Sequence, residues 1–293
     1  GNFNKKRVYE INIMNFTEPD AFKIPWIESP FFLEGLMQSN ISDKLKKHAA
    51  EIHTNGYTIL DLNIDSKLID QVNLDIDNHV QEGSLKTNPK MYHYNDSPRI
   101  VEAWKFSDSI KKIAKNKELL EFINFLYKRV PQPFNTINFL KGTEQPLHSD
   151  YIHFGSVPHY YLMGVWVPLE DIHPDSGPLV GVPKSHKLPI VDYNYLNLEL
   201  PKTNKRLEEC YRVYEEFIKT LIVNKKLEIK TFLPKKGQVI LWAANFLHGA
   251  ISMKDKNLTR KSLVFHFHFE GQKYYNPNFS NPEMGEFKYR DIE

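Results

Sequence analysis

Two histidines and one aspartate are the residues of this chain whose types and spacing best fit a metal centre. His148 and Asp150 are one residue apart in PLHSDYIHFG, and side chains at positions i and i+2 of an extended segment project to the same face. His248, which ends the strand-like run QVILWAANFLH, is the best candidate for a third ligand. Two histidines and a carboxylate on one face of an octahedron leave three positions open, as in non-haem iron(II) oxygenases. The short motif is weak alone, because the chain contains 12 histidines.

An arginine downstream of His248 supports the interpretation of the motif as a metal site. Arg260 follows His248 by 12 residues and begins the next strand-like segment, RKSLVFHFHFEG. A hairpin between the two segments would return the guanidinium to the metal, where its planar fork could hold a dicarboxylate by two parallel hydrogen bonds. A buried arginine is more often a salt-bridge partner, but this offset favours binding of a co-substrate.

The elements that must position these residues are helices first and strands later. Helical patterns cover residues 42–55, with Ser42 as cap and Gly56 as end, and residues 66–80, 107–130 and 203–226. Strand patterns cover residues 57–62, 134–140, 160–171, 177–183, 227–250 and 260–271. This order predicts an α+β, mainly β, fold: an antiparallel sandwich or barrel buttressed by N-terminal helices.

We expect one domain over residues 1–293. Its predicted parts are an arm with supporting helices (1–130), a β core (131–275) with a helical insertion at about 188–226, and a C-terminal tail (276–293).

Composition excludes several classes of protein. The 38 Lys and Arg nearly balance the 36 Asp and Glu, so no basic stripe marks a nucleic-acid binder. A single cysteine, Cys210, excludes an internal disulfide framework and fits a reducing compartment, where a structural role suits it better than a nucleophilic one. No apolar run is long enough for a membrane span, and no signal peptide is visible, so we expect a cytoplasmic protein. The oligomeric state is left open.

A longer pattern resembles a known family. In order, the chain carries H-x-D, W-x-P-L-E-D, S-G-P-L-x-x-x-P-x-S-H, and a distal histidine with a trailing arginine. This succession resembles the phytanoyl-CoA dioxygenase family of iron(II)- and 2-oxoglutarate-dependent oxygenases, over roughly residues 45–275 and most strongly from Asn135 onward. The resemblance implies a double-stranded β-helix, or jelly roll, related to the cupins.

The resemblance also implies roles for residues. His148, Asp150 and His248 match the iron(II) ligands, and Arg260 matches the arginine that binds 2-oxoglutarate. Asn138 and Trp166 match positions in the co-substrate pocket. Each also has a structural alternative, since Asn138 could be an ordinary polar strand residue and Trp166 an ordinary core residue. Ala250 and Phe134 depart from relatives that carry Ser and Gln there, so the far end of that pocket is expected to vary. The implied reaction consumes O2 and 2-oxoglutarate, releases succinate and CO2, and hydroxylates an unactivated C–H bond. Halogenating relatives lack the carboxylate that Asp150 supplies.

The substrate is the least determined part. We expect a small polar metabolite, such as a sugar or glycolipid, an amino acid or a natural-product intermediate. Seven polar and aromatic residues are candidates to contact it, unless they are simple packing: Tyr92, His93, Arg99, Trp104, Lys105, Tyr151 and His153. His266 and His268 alternate between phenylalanines, and there a structural face is favoured over a second metal site. Two other functions stay open: a non-catalytic jelly-roll protein that binds a metal or ligand, and a cupin-type metal-dependent hydrolase or isomerase.

Overall fold

The helices lie mainly in the first half of the chain. The computed structural model describes residues 23–83 and 94–291. Within these ranges the α-helices are α1 (Phe32–Gln38), α2 (Asp43–Asn55), α3 (Ser66–Gln81), α4 (Asp108–Ala114), α5 (Lys117–Tyr127) and α6 (Asn204–Lys225). None of these helices is long and apolar enough to cross a membrane.

The strands are mostly short and entirely antiparallel. In chain order they are β1 (Tyr57–Asp61), β2 (Arg99–Val101), β3 (Pro131–Phe139), β4 (Gly155–Val157), β5 (Met163–Pro168), β6 (Leu179–Gly181), β7 (Lys230–Thr231), β8 (Gln238–Ala243), β9 (His248–Ala250), β10 (Ser262–Phe269) and β11 (Lys273–Tyr275). The main sheet has the order β1-β8-β5-β10-β3-β2, and a small sheet has the order β7-β6-β9. Strands β4 and β11 form a separate pair.

The core strands pass back and forth between the main and the small sheet. From β5 in the main sheet the chain passes to β6 and β7 in the small sheet, returns to β8, and then passes through β9 to β10. Every passage except that from β6 to β7 crosses from one sheet to the other, and the two sheets enclose a shared interior. This is the double-stranded β-helix, so the predicted jelly roll with supporting N-terminal helices is confirmed.

Strand alternation divides the main sheet into two chemically different faces. On β10, Leu263, Phe265, Phe267 and Phe269 join the large core that the helices cover, because alternate residues point to one side. Val264 points the opposite way, into the space between the sheets, together with Trp166, Ile240 and Trp242. The two faces of β10 therefore have different roles: one packs against the helices, and the other lines the space between the sheets.

The helix ends follow the local sequence closely. Ser42 caps α2 by accepting a hydrogen bond from the Leu45 amide at 3.3 Å, and Gly56 ends it in the left-handed region at a φ of 86°. The predicted single helix over residues 107–130 is wrong in one respect, since it is divided into α4 and α5. Asn116 explains the break, because its side chain accepts from the Leu119 amide at 3.0 Å and starts a new helix.

The insertion is only partly helical. Helix α6 fills residues 204–225, whereas residues 188–203 form turns and extended segments. Its buried face, with Cys210, Tyr211, Tyr214 and Ile218, packs against Ile152, Val182 and Leu247 beside the small sheet. Cys210 is thus a packing residue of α6.

Gly164 lets a large side chain lie flat across the main sheet. It pairs with Trp242 in the β5–β8 ladder, and a Cβ on Gly164 would overlap the indole ring. Both residues are buried. The absence of a side chain at position 164 therefore sets the position of the Trp242 ring in the interior.

We predict that Gly164→Ala lowers the free energy of unfolding by about 1–3 kcal/mol, because the added methyl group overpacks the interior and displaces the indole. Urea denaturation followed by tryptophan fluorescence would measure the change. Gly271→Asn is the matched control, since nothing lies within 4 Å of a Cβ there and asparagine tolerates its positive φ of 81°. Equal destabilisation by both changes would contradict the role given to Gly164.

Candidate metal centre and its cavity

The two histidines predicted as ligands are held side by side by their own backbones. The His148 amide donates to the His248 carbonyl at 2.9 Å, and the His248 amide donates back to His148 at 3.0 Å. This isolated bridge adds His148 to the edge of the small sheet next to β9. Since directly opposed residues of an antiparallel pair project together, the two rings lie with their centroids 4.6 Å apart.

Asp150 reaches the same point from a turn. His148 and Ser149 are at the end of the extended segment, and Asp150 opens a short 3-10 helix (Asp150–Ile152) that the Ser149 hydroxyl caps by accepting from the Tyr151 amide at 3.1 Å. The extended backbone predicted for the whole H-x-D motif therefore ends before the aspartate. The three candidate ligand atoms nevertheless lie within 4.8 Å of one another, and all three residues are buried.

Both imidazoles are prepared to bind a cation through Nε2. The Nδ1 atom of His148 lies 3.0 Å from the Pro146 carbonyl, and that of His248 lies 3.1 Å from the Phe246 carbonyl. Nδ1 therefore carries the donated proton in each ring, and the Nε2 lone pair points toward the Asp150 carboxylate. Burial lowers the pKa of both histidines, well below the usual value for His148. Neutral rings are the form that a metal requires.

The Asp150 carboxylate is divided between two tasks. Its Oδ2 accepts from Trp242 Nε1 at 2.7 Å and lies 3.2 Å from His266 Nε2. Its Oδ1 faces the two ligand histidines, 3.6 Å from the His248 Nε2 and 3.9 Å from the His148 Nε2. Burial acts to raise the pKa of Asp150, but the facing imidazoles outweigh it and hold the pKa well below its usual range. One oxygen is thereby anchored, and the other is left for a cation.

His266 is itself fixed by a neighbouring strand. Its Nδ1 lies 2.7 Å from the side-chain amide of Asn135, its direct partner in the β10–β3 ladder. The chain of contacts therefore runs from Asn135 through His266 to Asp150. The sequence pattern indicated a structural face for His266 and His268 and did not predict the contact between His266 and Asp150. Because alternate residues of a strand share one face, His266 lies on the same face as Arg260, and this spacing could have indicated that it points inward.

Arg260 lies in the same interior as a buried cation. It is 1% exposed, and its Nη1 donates to the Gly177 carbonyl at 2.9 Å. Phe139 and Trp166 flank the guanidinium, with ring centroids 5.9 and 5.7 Å away. Burial and the nearby positive charge of Arg99 lower its pKa to about 9, so it stays protonated at neutral pH.

No protein group neutralises this cation in the part of the chain that the structure describes. None of the carboxylates there forms an ion pair with Arg260, and its Nε is buried without a hydrogen-bond partner. A buried charge without a partner is costly, so the site is built to receive an anion.

One cavity of about 370 Å³ joins the metal ligands to this arginine. Its wall combines aromatic rings with polar groups from several elements. The polar members from the described residues are Arg99, Asn135, Thr143, Gln145, His148, Asp150, His153, His248, Arg260, His266, Asn276, Asn278 and Arg290. The amide of Gln145 bridges two of them: it accepts from Arg99 at 2.7 Å and lies 3.2 Å from His148 Nε2. The volume suits a small organic ligand.

Most of the predicted ligand contacts fall into two groups. Trp166, Arg99 and His153 line the cavity. Trp104 instead packs against the helical core, Lys105 is exposed and ion-paired to Glu102, and Tyr151 turns away from the cavity to bond His159. Tyr92 and His93 lie outside the described residues.

Asn138 is a correction to the sequence prediction. It pairs with Leu263 in the β3–β10 ladder and therefore shares the face that packs against the helices, whereas Ile137 and Phe139 line the cavity. Its side-chain amide is buried there without a partner. The asparagine of β3 that does reach the site is Asn135, three residues earlier and on the opposite face.

We predict that His266→Leu weakens iron(II) binding by about 10- to 100-fold, because Asp150 loses the contact that orients its carboxylate. Anaerobic titration against a chromophoric chelator would measure the dissociation constant. His268→Leu is the matched control, since His268 is the next inward residue of β10 and contacts Phe134 and Tyr274 instead of Asp150. If both variants bind iron(II) equally well, the orienting role of His266 is rejected.

Solved structures show that this architecture recurs. EctD from S. alaskensis, solved with 2-oxoglutarate and 5-hydroxyectoine, is 18% identical with a TM-score of 0.63 over 87% of this chain and 86% of that chain. The epimerase SnoN from nogalamycin biosynthesis, in complex with Fe3+, alpha ketoglutarate and nogalamycin RO, is 16% identical with a TM-score of 0.61, over 85% and 96%. HygX from Streptomyces hygroscopicus, with nickel and 2-oxoglutarate bound, is 12% identical with a TM-score of 0.56, over 86% and 97%. At these identities the likeness shows the fold.

Sequence comparison gives the family. No curated protein matches the chain. The family model described as phytanoyl-CoA dioxygenase matches residues 50–261, which include His148, Asp150, His248 and Arg260. Because that match covers most of the sequence, the chain belongs to the phytanoyl-CoA dioxygenase family.

Proposed function

We propose that this protein is an iron(II)- and 2-oxoglutarate-dependent dioxygenase that hydroxylates a C–H bond of a small polar molecule. The observation that carries the proposal is the pairing, in one buried cavity, of a His-Asp-His triad with the un-neutralised guanidinium of Arg260. The triad accounts for a metal, and the arginine accounts for a second, anionic ligand.

The donor set fits iron(II). Two neutral imidazoles and one carboxylate oxygen come from a single side, so the other side of the ion would stay open for ligands that are not protein. His148, Asp150 and His248 would hold the ion, and with 2-oxoglutarate and O2 it would supply the chemistry that yields succinate, CO2 and a hydroxylated product. All three relatives described above carry a metal or 2-oxoglutarate in their solved forms or names, which supports the same pair of ligands here.

The protein's own part in this reaction is binding and shielding. Arg260 would bind the distal carboxylate of the co-substrate, while Phe139 and Trp166 keep water away from that ion pair and so strengthen it. Gln145, beside His148 Nε2, is placed to donate to an oxygen that occupies the neighbouring metal position. No residue of this set needs to transfer a proton, so positioning is the main contribution.

Hydroxylation is the outcome that we propose among those open to such a centre. Asp150 supplies a carboxylate, and this group would occupy the metal position that a halide takes in the halogenating relatives. An epimerase and a carbocyclase share the fold, however, so the fold alone does not select the outcome.

The two other functions considered from the sequence fit the cavity less well. A hydrolase or isomerase of cupin type would gain nothing from a buried arginine that no protein carboxylate neutralises. A protein that only binds a ligand would not need three open metal positions next to that arginine.

Conversion of 2-oxoglutarate is the first test. We expect purified protein supplied with iron(II), ascorbate and O2 to form succinate slowly without substrate, and faster when a metabolite from a polar panel fits the cavity. Mass spectrometry would detect the product as a gain of one oxygen atom. Succinate formation that stays at the metal-free background across the panel would reject the oxygenase.

Arg260 gives the sharper test. We predict that Arg260→Ala weakens 2-oxoglutarate binding by about a hundredfold or more, since the distal carboxylate loses its buried partner. Arg260→Lys should recover only part of the affinity, because an ammonium group cannot form two parallel bonds. Anaerobic calorimetry on iron(II)-loaded protein would measure both.

Arg206→Ala is the control for the loss of one arginine, because Arg206 is exposed on α6 and paired with Glu209. Iron(II) affinity should be unchanged in every variant, since Arg260 does not touch the triad. Wild-type affinity for 2-oxoglutarate in Arg260→Ala would contradict the assignment.

A further inference from the structure

The C-terminal segment forms part of the cavity wall as a folded hairpin. The Asn276 amide donates to the Lys288 carbonyl at 2.9 Å, and the Arg290 amide donates to the Tyr274 carbonyl at 2.8 Å. Two short 3-10 helices, Pro277–Phe279 and Pro282–Met284, occupy the bend. Residues 276–290, expected from the sequence to be a tail, are named the C-terminal hairpin below.

The C-terminal hairpin is fixed against both the metal segment and the insertion. Its first 3-10 helix packs on the Asp150–Ile152 turn that carries the aspartate ligand. The Asn194 side chain donates to the Ser280 carbonyl at 2.9 Å, and the Lys288 amide donates to the Ser280 hydroxyl at 2.9 Å. The side chains of this 3-10 helix are therefore held at defined positions relative to the aspartate ligand.

Asn278 presents an unused acceptor to the cavity. The residue is 3% exposed and lines the cavity, and its Oδ1 is buried without a hydrogen-bond donor among the described residues. Its backbone amide donates to Asn276 Oδ1 at 3.1 Å, which fixes the main chain beside the side chain. A buried amide oxygen with no protein donor calls for a donor from a ligand, such as a hydroxyl or an N–H group.

The arginines of the same wall already have contacts within the protein. Arg99 Nη2 donates to the Gln145 side chain at 2.7 Å, and Arg290 Nη2 donates to the His153 carbonyl at 2.8 Å. Arg260 is assigned above to the co-substrate. The need for a donor at Asn278 is therefore separate from these charges, and a neutral group of a ligand meets it.

Phe279 extends the same 3-10 helix toward the mouth of the cavity. Its side chain lines the cavity and is 41% exposed, whereas the preceding Asn278 is buried. An exposed aromatic ring at the edge of a cavity gains contact area when the apolar face of a ligand covers it. Two consecutive residues thus offer an acceptor inside the cavity and an apolar surface at its mouth.

We propose that the Pro277–Phe279 helix is a specificity element of this enzyme, in which Asn278 Oδ1 accepts from a neutral donor of the substrate and Phe279 packs against the adjacent apolar face. The inference rests on the proposed function and deepens it. The substrate class is a small neutral molecule in which a hydroxyl or amide N–H group stands beside a ring or chain of C–H groups.

Three neutral pairs of probes test this class, and the two members of each pair differ by methylation of the donor. Cyclohexanol is compared with methoxycyclohexane, N-cyclohexylacetamide with its N-methyl derivative, and methyl β-D-glucopyranoside with its tetra-O-methyl ether. Anaerobic calorimetry on the protein loaded with iron(II) and 2-oxoglutarate measures each affinity without turnover. We expect at least one donor-bearing probe to bind more tightly than its methylated partner by about tenfold, because a buried acceptor left unpaired is costly.

Three variants assign the contacts. Asn278→Leu, which is similar in size and lacks the acceptor, should bind both members of the preferred pair with equal affinity. Asn278→Asp keeps an acceptor oxygen and loses the amide donor, so it should keep the preference of the wild type. Phe279→Ala should weaken the binding of both members by the same factor, about three- to tenfold, since both carry the apolar face that covers the ring.

Two further variants are matched controls. Tyr289→Ala removes an exposed aromatic ring of the same hairpin that does not line the cavity. Asn124→Leu makes the same replacement as Asn278→Leu at an exposed position of α5. Both should bind the probes as the wild type does. Circular dichroism and thermal melting check that each variant is folded.

The outcomes separate this inference from the proposed function. If 2-oxoglutarate fails to bind the iron(II)-loaded wild type, the proposed function fails. If 2-oxoglutarate binds but no donor-bearing probe is preferred, or if the preference persists in Asn278→Leu or is lost in Asn278→Asp, the acceptor role of Asn278 is overturned. Equal affinity of Phe279→Ala and wild type for the probes overturns the apolar contact.

Discussion

The pair of backbone hydrogen bonds between His148 and His248 is the constraint on which the site depends. It joins two segments that are 100 residues apart in sequence, and it sets the separation of their imidazoles before any ion binds. Gly249 permits this approach, because a Cβ there would lie 2.7 Å from the Gln145 carbonyl. The metal geometry is therefore a property of β-ladder register. A shift of one residue would turn one imidazole to the opposite face.

The charges in the cavity are handled in two opposite ways. Asp150 is satisfied by the protein itself, through Trp242 and His266 on one oxygen, so its direction does not depend on a ligand. Arg260 donates to a backbone carbonyl and lies between two aromatic rings, and no carboxylate of the described residues forms an ion pair with it. The first arrangement preorganises the metal ligand, and the second favours the binding of an anion beside it.

The sequence predicted those features that depend on local pattern and on spacing within one strand pair. The capped helix α2, the β10 strand, the triad and Arg260 all belong to this group. Asn138 was assigned to the wrong face of the sheet, because the sequence alone does not tell which alternate residues of β3 point inward. The pairing of Asn138 with Leu263 places it on the face that the helices cover. The helix break at Asn116 depends on one capping bond. The contribution of residues 276–290 was missed because a short, turn-rich segment shows its fold only through contacts with distant parts of the chain, such as Asn194.

The wall of the cavity is built from two kinds of element, which differ in how freely their side chains can be substituted. The triad and Arg260 stand on paired strands, where a change of position would disturb ladder hydrogen bonds and both cores at once. Asn278, near the C-terminus, and Leu207, in the first turn of α6, stand on segments that line the cavity from outside those ladders. Such segments can change their side chains without moving the metal. An epimerase, a carbocyclase and EctD share this fold at 10–18% identity, and this division explains how one scaffold can carry different reactions. Differences in substrate among proteins of this fold can therefore arise in these segments while the jelly roll is kept.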